Sequence, residues 1–557
     1  MVGKMEVEDK NRHRTGTILS VISGKLRRKN RGQVTLSRRL GLGSTVSLLI
    51  GIMIGTGIFV APRGVLSYTG SFGASLLCFS LFSLGSLIFS ELALMFPKSG
   101  GDHTYLQETY GDVLAFLHGW GAVLVVRPIT LAIVSIVLGE YIIYPYFDDL
   151  CYRDETMVKL HAATFIIIMV LVHGYGLKLI SKLQVVFTSI KVVTLLLIII
   201  NGMINISMGY TNYLDVNTSF DGTNKNAFAF GMAFYQGMFA YEGWNSLTYT
   251  MEEMKDPAKT LPRAIMIAMP TITVLYVLVN ISYYTVLSPQ QVLKDEAIAT
   301  TFSSFTLYGK GILQGSLPFL VCCGAFGSAN GLCYTYSRMA VALGREGHMP
   351  QIVGMVNPDT MSPNFALFLM GLMSIITLLL PVSLEHLIEF FSFAIWLSYF
   401  FISIAVLILR YTKPDLHRPF KVHWSLPVLM AFLSVFLIIA PFFEAHGVNE
   451  VIAATMIIVA GLIVYVPFIY YKYQLPFMDK ITIFVQLFLC IVNTEYKPPE
   501  DFPINKDDHY NYESHNHKSL ITNLRPCASD QPVCSRPQTV CFQTKNRLLP
   551  DQAGRKV

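Results

Sequence analysis

Leu49-Ile50-Gly51-Ile52-Met53-Ile54-Gly55-Thr56-Gly57-Ile58-Phe59-Val60-Ala61-Pro62 is apolar enough for a bilayer, yet two glycines flank a threonine in its middle and a proline follows. Each glycine costs a helix about 1 kcal/mol relative to alanine, so the helix is expected to break there and expose backbone amides. The motif alone has a second reading, close packing of membrane helices through small residues. A matching break elsewhere, in a chain that lives in lipid, would decide between the two.

The rest of the chain does live in lipid. Its 557 residues are 53% hydrophobic and 14% charged, with a mean hydropathy of +0.49, more apolar than a soluble domain can hide. A bilayer core about 30 Å thick takes roughly 20 apolar residues as helix, and such stretches recur between Ser44 and Tyr470. The expected fold is an all-α membrane protein of twelve spans: 44–67, 71–96, 113–145, 159–176, 183–207, 227–250, 263–287, 313–342, 363–382, 386–410, 424–443 and 448–470. Alternate loops hold Lys98, Lys178, Lys182, Lys255, Lys259, Arg345, Lys413, Arg418 and Lys421, whereas the others hold Asp148, Asp149, Asp154, Asp295, Glu296, Glu444 and Glu450. Positive charge stays inside, which puts both termini in the cytoplasm.

Three segments follow: a basic tail over 1–43, a twelve-span domain over 44–495, and a second tail over 496–557. The second tail is too rich in Pro, Asn, Asp, His and Lys to bury a core and is expected to be disordered and cytoplasmic. The first contains no apolar stretch followed by a cleavage site, so it is not a signal peptide. Its Arg27-Arg28-Lys29 and Arg38-Arg39 clusters suit either anionic lipid or the ordinary positive-inside bias. The net charge of +6 therefore says nothing of nucleic acid, and none is expected as a partner. The nine cysteines form no CxxC pair, so no metal module or disulfide scaffold is indicated, and no cofactor is expected. Cys527, Cys534 and Cys541, near His509, His515 and His517, are read as free thiols of a reducing compartment.

The partner break lies in span 6. There Phe239-Ala240-Tyr241-Glu242-Gly243-Trp244-Asn245 puts an acid, a glycine and an asparagine where a continuous apolar helix was due. Polar groups at bilayer depth are costly and face a cavity or a partner. Spans 1 and 6 begin the two halves of a five-plus-five arrangement, and interrupted segments at matching places in two halves point to a transporter's binding site. Free N–H groups where a half-helix begins suit a carboxylate, and free C=O groups where one ends suit an ammonium. A zwitterionic amino acid fits both.

With these residues in view, the chain resembles the light chains of heteromeric amino acid transporters, of the amino acid–polyamine–organocation superfamily, and is most similar to the b(0,+)-type light chain. The resemblance runs from about Gly43 to Asn493 and includes GIMIGTGIFVAPRGVL, FPKSGGDHTYL, AFYQGMFAYEGWNSLTYTMEEM, LPRAI and GREGHMP. It implies a LeuT-like inverted repeat with helices 1 and 6 broken, and sodium-independent exchange of neutral and cationic L-amino acids, cystine among them, across the plasma membrane. Alternatives within the family are neutral-only or anionic substrates. The implied site is Met53, Ile54, Gly55, Thr56 and Gly57 with Phe239, Ala240, Tyr241, Glu242, Gly243, Trp244 and Asn245. The carboxylate would rest on the amides of Gly55, Thr56 and Gly57, and the ammonium on carbonyls near Met53, Phe239 and Glu242. Phe239 would gate the site, and Trp244 and Asn245 would shape it. Many members have Ser where this chain has Thr56; the hydroxyl is kept.

Four charged residues are singled out. Lys191 in span 5 either snorkels to the cytoplasmic face or, as the resemblance implies, stands in for a sodium ion and ties span 1 to span 8. Arg127 and Glu91 are read as members of interior pairs. Glu242 either attracts a cationic substrate side chain or points into an internal ion pair. A membrane enzyme would need a motif such as HExxH or GxSxG, which is absent, and a channel would need a polar lining repeated over several spans.

Cys151, in a loop expected outside, has no other outer-loop cysteine as partner and is on its own terms a free thiol or half of a bridge. The resemblance implies an interchain disulfide with a single-span heavy-chain glycoprotein. Non-reducing gels of the chain co-expressed with such a heavy chain should show a large band that is lost with Cys151→Ser; its persistence would overturn the linkage.

Overall fold

The computed structural model describes residues 38, 40–81, 85–143, 155–211, 213–215, 217–294, 297–306, 314–443, 448–473 and 477–493. They fall in the first of two units, Met1–Asp501 and Phe502–Val557. Cys151, the tail cysteines and most of both tails lie outside the described residues.

A helix stands at each of the twelve expected positions. Among the described residues, nine are long and apolar enough to cross a membrane, and the bent pair Leu42–Met53 and Gly57–Thr69, turned by 49°, makes ten. The other two are short: span 6 runs from Ala227 to Tyr241 before its break, and span 9 is the 16-residue helix Asn364–Leu379. This is a multi-pass membrane protein of all-helical fold. Several helices overrun the expected ends. Span 5 starts at Leu177, before Lys178 and Lys182, because hydropathy undercounts the polar turns with which a spanning helix leaves the bilayer. Span 7 starts at Pro257, since proline's fixed φ and missing N–H are tolerated in a first turn. Four further helices among the described residues were not expected as separate elements: Asp102–Tyr110 between spans 2 and 3, Pro289–Lys294 and Ile298–Phe305 between spans 7 and 8, and Met478–Leu489 after span 12.

The outer half of span 1 and the helix of span 6 pack more extensively on each other than any other described pair. Small residues allow this. A Cβ on Gly57 would lie 2.5 Å from Ala240 Cα, and one on Gly64 would lie 2.7 Å from Gln236 Oε1. Several charges inside the bundle are paired. Arg410 grips Glu91 with two hydrogen bonds, Nε to Oε1 at 2.9 Å and Nη2 to Oε2 at 2.6 Å, and the Val422 amide donates to the same carboxylate at 2.9 Å.

Gly57→Ala should lower thermal stability in detergent by about 1–3 kcal/mol, the usual range for overpacking, because the added carbon meets backbone that cannot turn aside. Gly174→Ala, where nothing lies within 4 Å, should leave the melting curve unmoved. Equal melting of the two variants would remove the argument from close approach.

Candidate functional site

The inner half of span 1 ends at Met53, and Ile54 turns out of the helix with φ −71° and ψ 92°. Gly55 and Thr56 bridge the gap before the outer half begins at Gly57. The first N–H groups of that half-helix have no preceding turn to bond to. Thr56 is 1% exposed, and its Oγ1 has no hydrogen-bond partner. A buried hydroxyl left unpaired costs about 1–3 kcal/mol, so a ligand oxygen here would be welcome.

Span 6 breaks at the same depth. Its helix stops at Tyr241, Gly243 takes φ +113°, a region open to glycine, and a 3₁₀ helix resumes over Ser246–Glu253. The two breaks touch. A Cβ on Gly57 would also lie 3.0 Å from the Phe239 carbonyl, and one on Gly243 would press into Ile52. The Tyr276 hydroxyl of span 7 lies between them, 2.7 Å from the Met53 carbonyl and 3.0 Å from that of Ala240.

Lys191 is 3% exposed and does not snorkel. Its ammonium donates to the Gly51 carbonyl at 2.6 Å and to Ser328 Oγ, on span 8, at 2.8 Å. A fixed cation therefore joins the inner half of span 1 to spans 5 and 8. Gly55 leans on the same serine, since a Cβ there would lie 2.6 Å from Ser328 Oγ.

Glu242, at the span 6 break, accepts a hydrogen bond from Arg127 Nη1 of span 3 at 2.8 Å. The second oxygen, Oε2, is buried without a hydrogen-bond partner. Arg127 also sits 5.7 Å from the centre of the Tyr249 ring. A cavity of about 70 Å³ beside the pair is lined by Asp102, His118, Arg127, Tyr249 and Ser398 among others. Asp102, which lines the same cavity as Arg127, accepts from Asn245 Nδ2 at 2.9 Å.

The remaining span 6 residues brace the break. Tyr241 donates to the Phe79 carbonyl at 2.8 Å, and Trp244 Nε1 donates to the Tyr399 hydroxyl at 2.6 Å. Phe239 meets Phe391 edge-on, with centroids 6.1 Å apart. Ion pairs lie beyond the site on either side. Arg63 reaches Glu385 at 3.4 Å, and Tyr68 donates to Glu389 at 2.9 Å, joining span 1 to span 10. At the other end Arg338 holds Glu253 at 2.6 Å and Arg345 holds Glu252 at 3.1 Å, joining span 8 to span 6. There Leu40 also pairs with the chain leaving span 6, its N–H on the Glu253 carbonyl at 2.9 Å and its carbonyl on the Lys255 N–H at 2.8 Å.

Sequence reading missed Tyr276, Ser328 and Asp102. A tyrosine in Val-Leu-Tyr-Val and a serine in Phe-Gly-Ser-Ala look like ordinary span residues; only their position across a packed interface gives them a partner.

The chain has a LeuT-like membrane fold in which two broken helices are juxtaposed. The crystal structure of MhsT in complex with L-phenylalanine has the same fold, with a TM-score of 0.51 and 12% identity over 77% of this chain and 100% of that one. Residues 40–466 match the family model described as amino acid permease, and the chain belongs to that family. Among its relatives are the b(0,+)-type amino acid transporter 1 of Homo sapiens, 36% identical over 84% of this chain and 95% of the relative, and the cystine/glutamate transporter of Homo sapiens, 35% identical over 84% and 93%. The large neutral amino acids transporter small subunit 2 of Rattus norvegicus is 33% identical over 83% and 87%.

Removing one partner of a buried pair strands the other, at a cost of about 3–5 kcal/mol. Arg127→Gln and Glu242→Gln should each lower the melting temperature in detergent, and the double variant should recover most of the loss. A double variant as unstable as the sum of the singles would mean that the two side chains do not act as a pair.

Proposed function

We propose that this chain is the light chain of a sodium-independent exchanger that carries neutral and cationic L-amino acids, cystine included, across the plasma membrane by alternating access. The observation that carries the reading is the contact of the two breaks. It sets the amides at the start of the outer half-helix, around Thr56, beside the Phe239 carbonyl, so that one site offers partial positive charge to a carboxylate and partial negative charge to an ammonium. The residues in named roles are Gly55, Thr56 and Gly57 for the carboxylate, Met53, Phe239 and Glu242 for the ammonium, and Phe239 as the gate.

Side-chain selectivity rests on Glu242, Arg127 and Asp102. With both acids ionised the group carries one negative charge in excess, which favours a cationic substrate and leaves a neutral one unopposed. Arg127 supports a second reading, an anionic substrate. That substrate would have to draw Arg127 from Glu242, leaving a buried carboxylate unpaired, so the first reading is preferred.

Lys191 carries the sodium independence, because a protein ammonium does the work of tying span 1 to span 8 that a bound cation would otherwise do. Both termini are placed in the cytoplasm by the loop charges, residues 44–495 form the transporting domain, and Cys151 links it to a heavy-chain glycoprotein.

Proteoliposomes loaded with unlabelled amino acid should take up labelled leucine and arginine by counter-flow, and glutamate poorly, with the same rates in sodium and in choline. Lys191→Ala should cut uptake at least tenfold at equal protein content. A steep sodium dependence in the unaltered chain would defeat the role given to Lys191, and preferred uptake of glutamate would install the second reading.

A further inference from the structure

The helix Met478–Leu489 is not one of the twelve spans and takes no part in the substrate site. It is joined to span 12 by a short lead at its start and bonded to another loop at its end. Span 12 ends at Tyr470, so seven residues, 471–477, lead into it. Beyond it, Val492 forms an isolated antiparallel bridge with Val356, each N–H on the other's carbonyl at 2.8 and 2.9 Å. Val356 belongs to the connection between spans 8 and 9. Gln486 Nε2 also contacts the Met355 sulfur at 3.3 Å, and Asn357 Nδ2 donates to the Leu489 carbonyl at 3.5 Å. The end of span 12 and the loop after span 8 are four crossings apart and therefore share one membrane face. A helix that starts seven residues after span 12 and whose far end is bonded to the same face has both its ends close to that face.

Phe477, Ile481, Phe484 and Phe488 recur at i, i+4, i+7 and i+11, which puts them in one stripe of a 3.6-residue helix. They are 52%, 46%, 69% and 76% exposed, and the Phe484 and Phe488 rings stack with centroids 6.2 Å apart. Gln486, which faces the loop, sits on the opposite side. Four large apolar side chains side by side in water would be a liability for any soluble surface. Here they continue a lipid-facing surface, because Met456, Val459 and Ile463 of span 12 are 61%, 50% and 77% exposed. Between the two lie Tyr470, Tyr471 and Tyr473, exposed by 67%, 71% and 58%, an aromatic cluster of the kind that marks the boundary of a bilayer. The flanking Lys480 is exposed and long enough to keep its charge at the headgroups.

We propose that Met478–Leu489 is an interfacial anchor, lying in the plane of the membrane with the stripe Phe477–Ile481–Phe484–Phe488 among the acyl chains of the leaflet on that face. Through Val492 and Gln486 it fastens the loop between spans 8 and 9 to the lipid surface.

The full-length chain carrying Phe484→p-benzoylphenylalanine or Phe488→p-benzoylphenylalanine, in proteoliposomes of phosphatidylcholine and phosphatidylserine, is irradiated and digested for mass spectrometry. Ile463→p-benzoylphenylalanine on span 12 reports lipid capture in the same preparation, and leucine counter-flow reports that each protein is folded. Phospholipid adducts at 484 and 488 to at least half the yield at 463, with Gln486→p-benzoylphenylalanine joining instead to residues 355–357, are the expected result. Adducts from 484 or 488 to a second copy or to residues 494–557, or no lipid adduct while 463 gives one, would overturn the proposal.

Discussion

A helix cut in mid-bilayer leaves carbonyls where no water can reach them, and several kcal/mol would be lost for each group left bare. The site stands on the way these are met. Lys191 takes the Gly51 carbonyl, and the Tyr276 hydroxyl lies within reach of the carbonyls of Met53 and Ala240. The donors come from spans 5 and 7, so the breaks are held by their neighbours and not by their own helices. What those neighbours leave unmet, the Thr56 hydroxyl first of all, is what remains for a ligand. Binding capacity and backbone accounting are one problem here.

Charge obeys the same rule. Arg127 and Glu242, and Arg338 and Glu253, are buried pairs, Arg410 is half-buried against a buried Glu91, and each pair is joined across different spans. Such pairs are poor sources of net stability, because desolvation offsets attraction, but they penalise any arrangement that separates them. Two kinds can be told apart by place. The Arg410–Glu91 pair, braced further by the Val422 amide, is fastened on three sides and suits a fixed frame. The pairs from Glu252 and Glu253 to span 8 have one arm on a span whose helix is broken, where motion is cheapest.

Much of this was legible in the sequence because lipid makes violations conspicuous. Glycines at Gly55 and Gly57, an acid at Glu242 and a lysine at Lys191 stand out against apolar runs, and the breaks fall where those residues predicted. The apolar lengths located a helix at each of the twelve expected spans. Partners were another matter. Arg127 and Glu242 are 115 residues apart, and nothing in either span marks the other, so the choice between a free acid and an internal pair had to wait for the fold. Tyr276 and Ser328 have ordinary surroundings in the chain and gain their roles only by packing. The helix after span 12 went unassigned because it is too short to cross a bilayer, although its stripe of Phe477, Ile481, Phe484 and Phe488 was there to be counted.

The backbone contact at Gly57 has a mechanical side. Gly57 against Ala240 and Gly64 against Gln236 lock the outer half of span 1 to span 6 through a dry, interdigitated seam, which shear would ruin within an ångström. The contacts that this pair makes with spans 8 and 10 include, beside ring and apolar packing such as Phe239 on Phe391, hydrogen bonds and ion pairs at either end. Load applied to the bundle is therefore taken up at the polar joints while the seam stays shut. Spans 1 and 6 thus form a single joined unit, broken in the middle of both arms, with one set of polar contacts at the Arg63–Glu385 end and another at the Arg338–Glu253 end.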